Sequence, residues 1–213
     1  ADGNSLTEAV QSIDCRGRKI KSMKGIELFK KLEGLNCGEN QLATLDVSKN
    51  TALVDLSVYE NQLTSLDVSR NVTLEYLDCY SNQLTSLDIS TSKSLRILDC
   101  SDTALMILDV SRNTKLEALY CSGNQLTELD VGQNTKLVRL SCGENLLTEL
   151  DVSHNTKLEG LYCAENQLTS LDVSQNTQLE ALYCGGNQLT ELDVRSNLAL
   201  TELDCSGNRL TKL

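Results

Sequence analysis

Leucines and polar residues alternate in a fixed frame along this chain. From residue 35 onward the pattern L-x-C-x-x-N-x-L-x-x-L-D-V-x-x-N-x-x-L, closed by two variable residues, returns every 21 positions. Cys79, Cys100, Cys121, Cys142, Cys163, Cys184 and Cys205 mark it at 21-residue spacing, and counting back gives Val58 and then Cys37. Around L-x-C the alternation has period two, which predicts a short strand with Leu and Cys turned inward. A unit this short has no room for a full helix, so short extended or 3₁₀ segments are expected across from the strand. One unit cannot bury its leucines alone, whereas a stack of them shares a continuous core.

The L-x-x-L-x-C-x-x-N-x-L frame is a leucine-rich repeat with Cys in one Leu place. It predicts a right-handed, curved solenoid of about nine to ten rungs, stacked roughly 4.8 Å apart, with a parallel β-sheet on the concave face. Regular repeats occupy residues 35–213. Residues 1–34 form an amino-terminal cap and an irregular first rung, because Cys15 precedes Cys37 by 22 residues. Ser5 to Glu8 has the capping-box form, predicting a short helix over about residues 6–11. Ile26, Phe29 and Leu32 give the first rung a helical back. The chain ends mid-unit at Leu213 without a polar cap, so further carboxy-terminal domains are expected in the parent protein.

Composition narrows the function classes. Across 213 residues, 19 basic against 30 acidic side chains leave a net charge of −11, which argues against a nucleic-acid partner. The excess acid lies in the regular repeats. No run approaches the roughly 18 apolar residues of a membrane span, so no membrane insertion is expected. Nine Cys cannot all pair internally. Parallel strands point identical positions the same way, so the Cys column reads as a reduced, buried ladder rather than as disulfides or a metal site. No cofactor is expected.

Two Asn columns mark the corners: Asn40, Asn61, Asn82, Asn124, Asn145, Asn166, Asn187 and Asn208, then Asn50, Asn71, Asn113, Asn134, Asn155, Asn176 and Asn197. Their amides can both donate to and accept from adjoining backbone, which also turns the Asn71 glycosylation sequon inward. Thr103 and Ser92 interrupt the two columns in one middle rung, which should be the weakest packed. Asp46, Asp67, Asp88, Asp109, Asp130, Asp151, Asp172 and Asp193 stack likewise. They read as local side-chain to backbone bonds rather than a calcium rail, since no glycine-rich nonapeptide flanks them. An enzyme is not expected: His154, the one histidine, sits in an outer corner, and no convergent nucleophile, base and orienter can be assembled.

The variable positions carry the candidate chemistry. The residues before Leu, between Leu and Cys, and after Cys should face outward on the concave side. All six Tyr fall there, at Tyr59, Tyr76, Tyr80, Tyr120, Tyr162 and Tyr183, and Tyr offers rigid area with a polar tip. Tyr59, Tyr76, Tyr80 and Ile97 are expected to make one patch and Tyr120, Tyr162 and Tyr183 a second. Asp55, Asp78, Asp99 and Asp204 border them, with Arg139 the only base in these columns. Plain cross-strand packing of Tyr162 on Tyr183 is the structural alternative.

The repeats from Leu203 to Arg209 and Leu66 to Asn71, and the opening Ile13 to Cys15 followed by Lys24 to Glu27, resemble the cysteine-ladder repeats of the internalin family and similar surface proteins of gut bacteria. The resemblance covers about residues 13–213. It implies a secreted or cell-surface bacterial protein that recognises a ligand through its concave face. A protein receptor is the favoured partner, a cell-surface glycan held by the Tyr patches the alternative, and a passive spacer the third reading.

Overall fold

In a computed structural model, which describes residue 7 and residues 9–212, each rung forms one three-residue strand centred on the apolar residue two places before the Cys column. The strands are β1 (Ser12–Asp14), β2 (Gly34–Asn36), β3 (Asp55–Ser57), β4 (Tyr76–Asp78), β5 (Ile97–Asp99), β6 (Ala118–Tyr120), β7 (Arg139–Ser141), β8 (Gly160–Tyr162), β9 (Ala181–Tyr183) and β10 (Glu202–Asp204). They make one ten-stranded sheet in chain order. Neighbours are parallel and in strict register: Leu56 lies beside Leu77 and Leu77 beside Leu98. Ser12 pairs with Gly34, 22 residues on, whereas Gly34 pairs with Asp55, 21 on.

Inward positions fill the core as the alternation requires. The central leucines of β3 to β9 are fully buried, as are Val58 and the cysteines from Cys37 to Cys184. The thiols are free. Burial pushes those of Cys37, Cys142 and Cys184 up to about 12 and raises Cys79, Cys100, Cys121 and Cys163 well above their ordinary value. They stay protonated, so the ladder is packing material rather than a nucleophile.

The return path is built from consecutive tight turns. The Asn155 amide donates to the Val152 carbonyl and the Leu158 amide to the Asn155 carbonyl, both at 3.0 Å, and the same pair recurs in every rung from Val47 to Leu200. The first rung has one 3₁₀ turn, Ile26–Leu28, with Ile26 buried, so its expected helical back is a single turn. Thr7 and Ala9 are helical but Val10 and Gln11 are not. The predicted helix over residues 6–11 therefore stops short, and its capping-box residues Ser5 and Glu8 lie outside the described residues. No described helix is long and apolar enough to cross a membrane.

The Asn columns hold the corners in two different ways. In the first, Asn145 accepts from the Leu126 amide at 3.0 Å and donates to the Cys121, Cys142 and Gly143 carbonyls at 3.0–3.1 Å. In the second, Asn155 donates to the Val131 and Asn134 carbonyls at 3.0 Å. Its Oδ1, like those of Asn50, Asn71, Asn113, Asn134, Asn176 and Asn197, is buried without a partner among the described residues. Only the first column both donates and accepts, because the second faces a turn whose amides are already used by the backbone. Asn71 is fully buried, consistent with an inward sequon. In the rung of β5, the Ser92 hydroxyl is likewise unpartnered. The single hydroxyl proton of Thr103 has two acceptors in reach, Asn124 Oδ1 at 2.6 Å and the Cys100 carbonyl at 3.1 Å, where an Asn would accept from the previous rung, as Asn82 accepts from Leu63 at 3.0 Å.

Candidate recognition surface

Outward positions on either side of the buried leucine line the sheet face, and the structure separates the predicted residues into a group built around two half-buried aspartates and one built around stacked rings. Tyr76 and Ile97 are register partners, as are Asp78 and Asp99. The Tyr76 hydroxyl donates to Asp78 Oδ2 at 3.4 Å, and Asp78 Oδ1 accepts the Tyr80 amide at 3.2 Å. Burial pushes the Asp78 carboxyl up to about 6, aided by the Asp99 charge, and burial raises Asp99 as well. Burial beside these two carboxylates takes the Tyr76 phenol to about 12. Neither carboxylate has an ion-pair partner among the described residues.

Tyr59 and Tyr80 do not join Tyr76 as predicted. Both lie two residues past the end of their strand, where the chain is already turning. Tyr59 leans over Gly38 and donates to Glu39 Oε1 at 3.0 Å, toward the first rungs. Tyr80 faces the carboxylates of Asp102 and Glu60, which raise its phenol. The sequence reading also missed a base: Arg16 follows Cys15 in the same outward column, pairs with Asp14 at 2.9 Å and approaches Tyr59. Arg139 is thus not alone. Asp55 is exposed at the edge of a cavity of about 400 Å³ in the sheet face, walled by Tyr76 and floored in part by Gly34 and Leu35. The small side chains of Ser12, Gly34, Asn36 and Ser57 in successive outward positions signal that hollow.

The second group is built by ring packing. Tyr162 and Tyr183 are register partners, with ring centroids 5.2 Å apart and planes 21° from parallel. Glycine makes this possible: a Cβ on Gly160 would stand 2.9 Å from the Tyr162 ring. The Tyr183 hydroxyl donates to Glu202 Oε2 at 2.7 Å. Tyr120 lies two rungs before Tyr162 in the same column, with Ser141 between them. Arg139, exposed, lies beside Ala118 and Gly160 in the neighbouring column. Asp204 follows Tyr183 in register and is spent on the Ser206 amide at 2.9 Å.

On the opposite side, each residue of the Asp column accepts the amide two residues on, as Asp151 does from Ser153 at 2.8 Å. Hydrogen bonds from the hydroxyl and the amide of the serine two residues on hold Asp46, Asp67, Asp88, Asp109, Asp151 and Asp172 below the usual carboxylate range. That is the local bonding the sequence predicted. His154 is exposed in its corner, its Nδ1 3.2 Å from the Ser153 hydroxyl.

No protein-family model and no curated protein sequence matches the chain. Among solved structures, the functional domain of InlJ from Listeria monocytogenes, which includes a cysteine ladder, is 44% identical over 99% of this chain and 47% of its own, with a TM-score of 0.97. The leucine-rich-repeat protein LIC12759 of Leptospira interrogans is 30% identical over 88% of this chain and 52% of its own, with a TM-score of 0.82. YopM, a leucine-rich effector protein of Yersinia pestis, is 26% identical over 93% of this chain and 61% of its own, with a TM-score of 0.73. The chain spans about half the length of the first two.

Proposed function

The chain is an internalin-like, cysteine-ladder leucine-rich-repeat protein, and from that premise we propose that it is a non-enzymatic recognition module of a secreted or cell-surface bacterial protein. It binds a host or neighbouring-cell protein through its concave face. The observation that carries this reading is the placement of aromatics: Tyr76, Tyr120, Tyr162 and Tyr183 all sit in strands, with Tyr59 and Tyr80 at the strand ends. Rigid aromatic anchors spread across a curved sheet suit a large protein surface, which buries several of them at once. Asp55, Asp78, Asp99 and Arg139 supply the polar contacts around them.

Glycan binding is the second reading, and one feature favours it: the stacked Tyr162 and Tyr183 rings form a local flat platform of the kind a sugar face packs on. The two readings separate experimentally. The chain contains no Trp, so its tyrosine emission reports the concave face unlabelled. Protein capture from host-cell surfaces that falls with both Tyr76→Ala and Tyr162→Ala supports a protein receptor. A saturable emission change with a glycan, abolished by Tyr162→Ala alone, supports the glycan. Capture unaffected by either substitution, with no glycan response, would leave a passive spacer.

A further inference from the structure

The back of the solenoid carries a pattern break that concave-face recognition does not use. Between the corner Asn and the Leu-Asp-Val triad, the two positions before the triad's Leu are Thr64 and Ser65, Thr85 and Ser86, Thr127 and Glu128, or Thr148 and Glu149 in other rungs. In the rung of β5 they are Met106 and Ile107, 62% and 70% exposed. The fold accepts Thr and Ser at these sites, so packing does not explain an exposed apolar pair here.

With Met106 just outside its lining, Ile107 stands at the head of a furrow. It has a volume of about 830 Å³, begins at Ile107 and runs past Glu128, Asp130, Glu149, Asp151 and Asp172. A second hollow of about 780 Å³ shares Ser170 and Asp172 with it and continues to Lys212. Leu108, Leu129 and Leu150 show their edges in the floor, at 5–7% exposure. The furrow is therefore an apolar track with the Asp column along one side and Glu128 and Glu149, between Ile107 and Ser170, along the other. No lysine or arginine lines it before Arg195. Arg112 flanks Asp109 at its head, and Arg195 is tied to Asp193 at 2.5 Å at the far end.

We propose that this furrow is a second docking surface, taking an extended segment of a partner protein whose aliphatic side chain packs on Ile107, beside the exposed Met106, and whose lysines or arginines pair with Glu128, Glu149 and the Asp column. Charge decides the occupant. The rims are acidic for several rungs, so an acidic or neutral strand would be repelled or left unpaired, while a segment alternating aliphatic and basic residues presents apolar groups to the floor and cations to the rims. Hydrogen bonds from the hydroxyls and amides of Ser111, Ser153 and Ser174 lower Asp109, Asp151 and Asp172 below their ordinary range, so these carboxylates are ionised at neutral pH.

A blocked peptide alternating leucine and lysine, labelled with fluorescein, tests this against the whole chain by anisotropy. Saturable binding is expected, weakened about fivefold or more by the double change Met106→Thr with Ile107→Ser, and by Glu128→Gln with Glu149→Gln. Both pairs install uncharged polar residues at exposed sites, and unchanged thermal unfolding will verify the fold. Tyr162→Ala, on the other face, should leave the peptide affinity unchanged. Absence of saturation up to about 1 mM peptide would overturn the proposal. So would binding indifferent to the Met106 and Ile107 change, which would mean diffuse attraction to a chain of charge −11, or binding lost with Tyr162→Ala, which would move the peptide to the concave face.

Discussion

The concave face has two halves that hold their tyrosines by different physics. Around β4 and β5, Tyr76 leans on a carboxylate, and two aspartates are half-buried with no ion-pair partner among the described residues. Around β8 and β9, Tyr162 and Tyr183 stack on one another, with the Tyr162 ring over Gly160, and among the described residues no carboxylate is hydrogen-bonded to Tyr162. The repeat frame is the same in both, so the difference lies entirely in the free positions. Asn36 shows that the charge in the first half is not needed for folding: its Oδ1 accepts the Gly38 amide at 3.1 Å, the bond Asp78 and Asp99 make to Tyr80 and Ser101 at 3.2 and 3.0 Å. A neutral amide would serve the backbone equally well. The first half keeps an unfavourable desolvated charge, whereas the second is stable as built.

Removing the anchors tests that contrast most strongly. Tyr162→Ala should weaken ligand capture at least about tenfold, while thermal unfolding changes by only a few degrees. If Tyr76→Ala has the same effect, the ligand spans both halves; an effect confined to one variant assigns the ligand to that half. Asp78→Asn comes next. It keeps the bond to the Tyr80 amide and should stabilise the chain at pH 7 by about 1 kcal/mol, after discounting for solvent screening. The pH profile fixes the sign. The folded pKa of about 6 exceeds the unfolded value, so ionisation of Asp78 opposes folding: the penalty is complete above about pH 6 and vanishes below about pH 4. The stability gap between Asp78→Asn and the parent should therefore close as pH falls from 7 to 4, measured by urea unfolding. A constant gap would show that the carboxylate is not desolvated.

Smaller effects probe the edge of the first half, in the rung of β5, and the ring stack of the second. Thr103→Asn restores the acceptor missing from the first Asn column and should add about 1 kcal/mol, raising the midpoint by about 2–4 °C. Gly160→Ala should change stability by only a few tenths of a kcal/mol, because the neighbour its Cβ meets is the far end of the Tyr162 side chain. It should nevertheless tilt that ring off Tyr183, visible as altered tyrosine ring shifts by NMR. Unaltered shifts would show that the stack does not depend on the glycine.

What could be read from the sequence follows from what periodicity encodes. Leucine and cysteine at period two within 21 residues fix strand, register and inward column together, so a stack of about nine to ten parallel rungs and a buried ladder were expected from the spacing, and the sheet has ten strands. Side chains beyond a strand end escape that logic. Tyr59 and Tyr80 each precede a residue in the left-handed region, Glu60 at φ 48° and Ser81 at φ 52°, where the chain leaves the sheet and the outward rule no longer gives a direction. The unpartnered Oδ1 atoms of the second Asn column were hidden for another reason: identical residues at identical spacing meet different backbone, and only the turn around each shows which amides remain. Met106 and Ile107 were visible as a break in a Thr-Ser column, but their meaning depended on the furrow beside them.

One-to-one register along the sheet makes the distance between recognition elements a count. Tyr76 and Tyr162 lie in the fourth and eighth strands, and four steps of about 4.8 Å separate them by about 19 Å. Because every regular rung is interchangeable in frame, removing or duplicating one 21-residue unit between them would shorten or lengthen that separation by a single step without altering either group. The solenoid thus acts as a ruler with fixed graduations, and a partner that grips both halves selects chains by whole rungs.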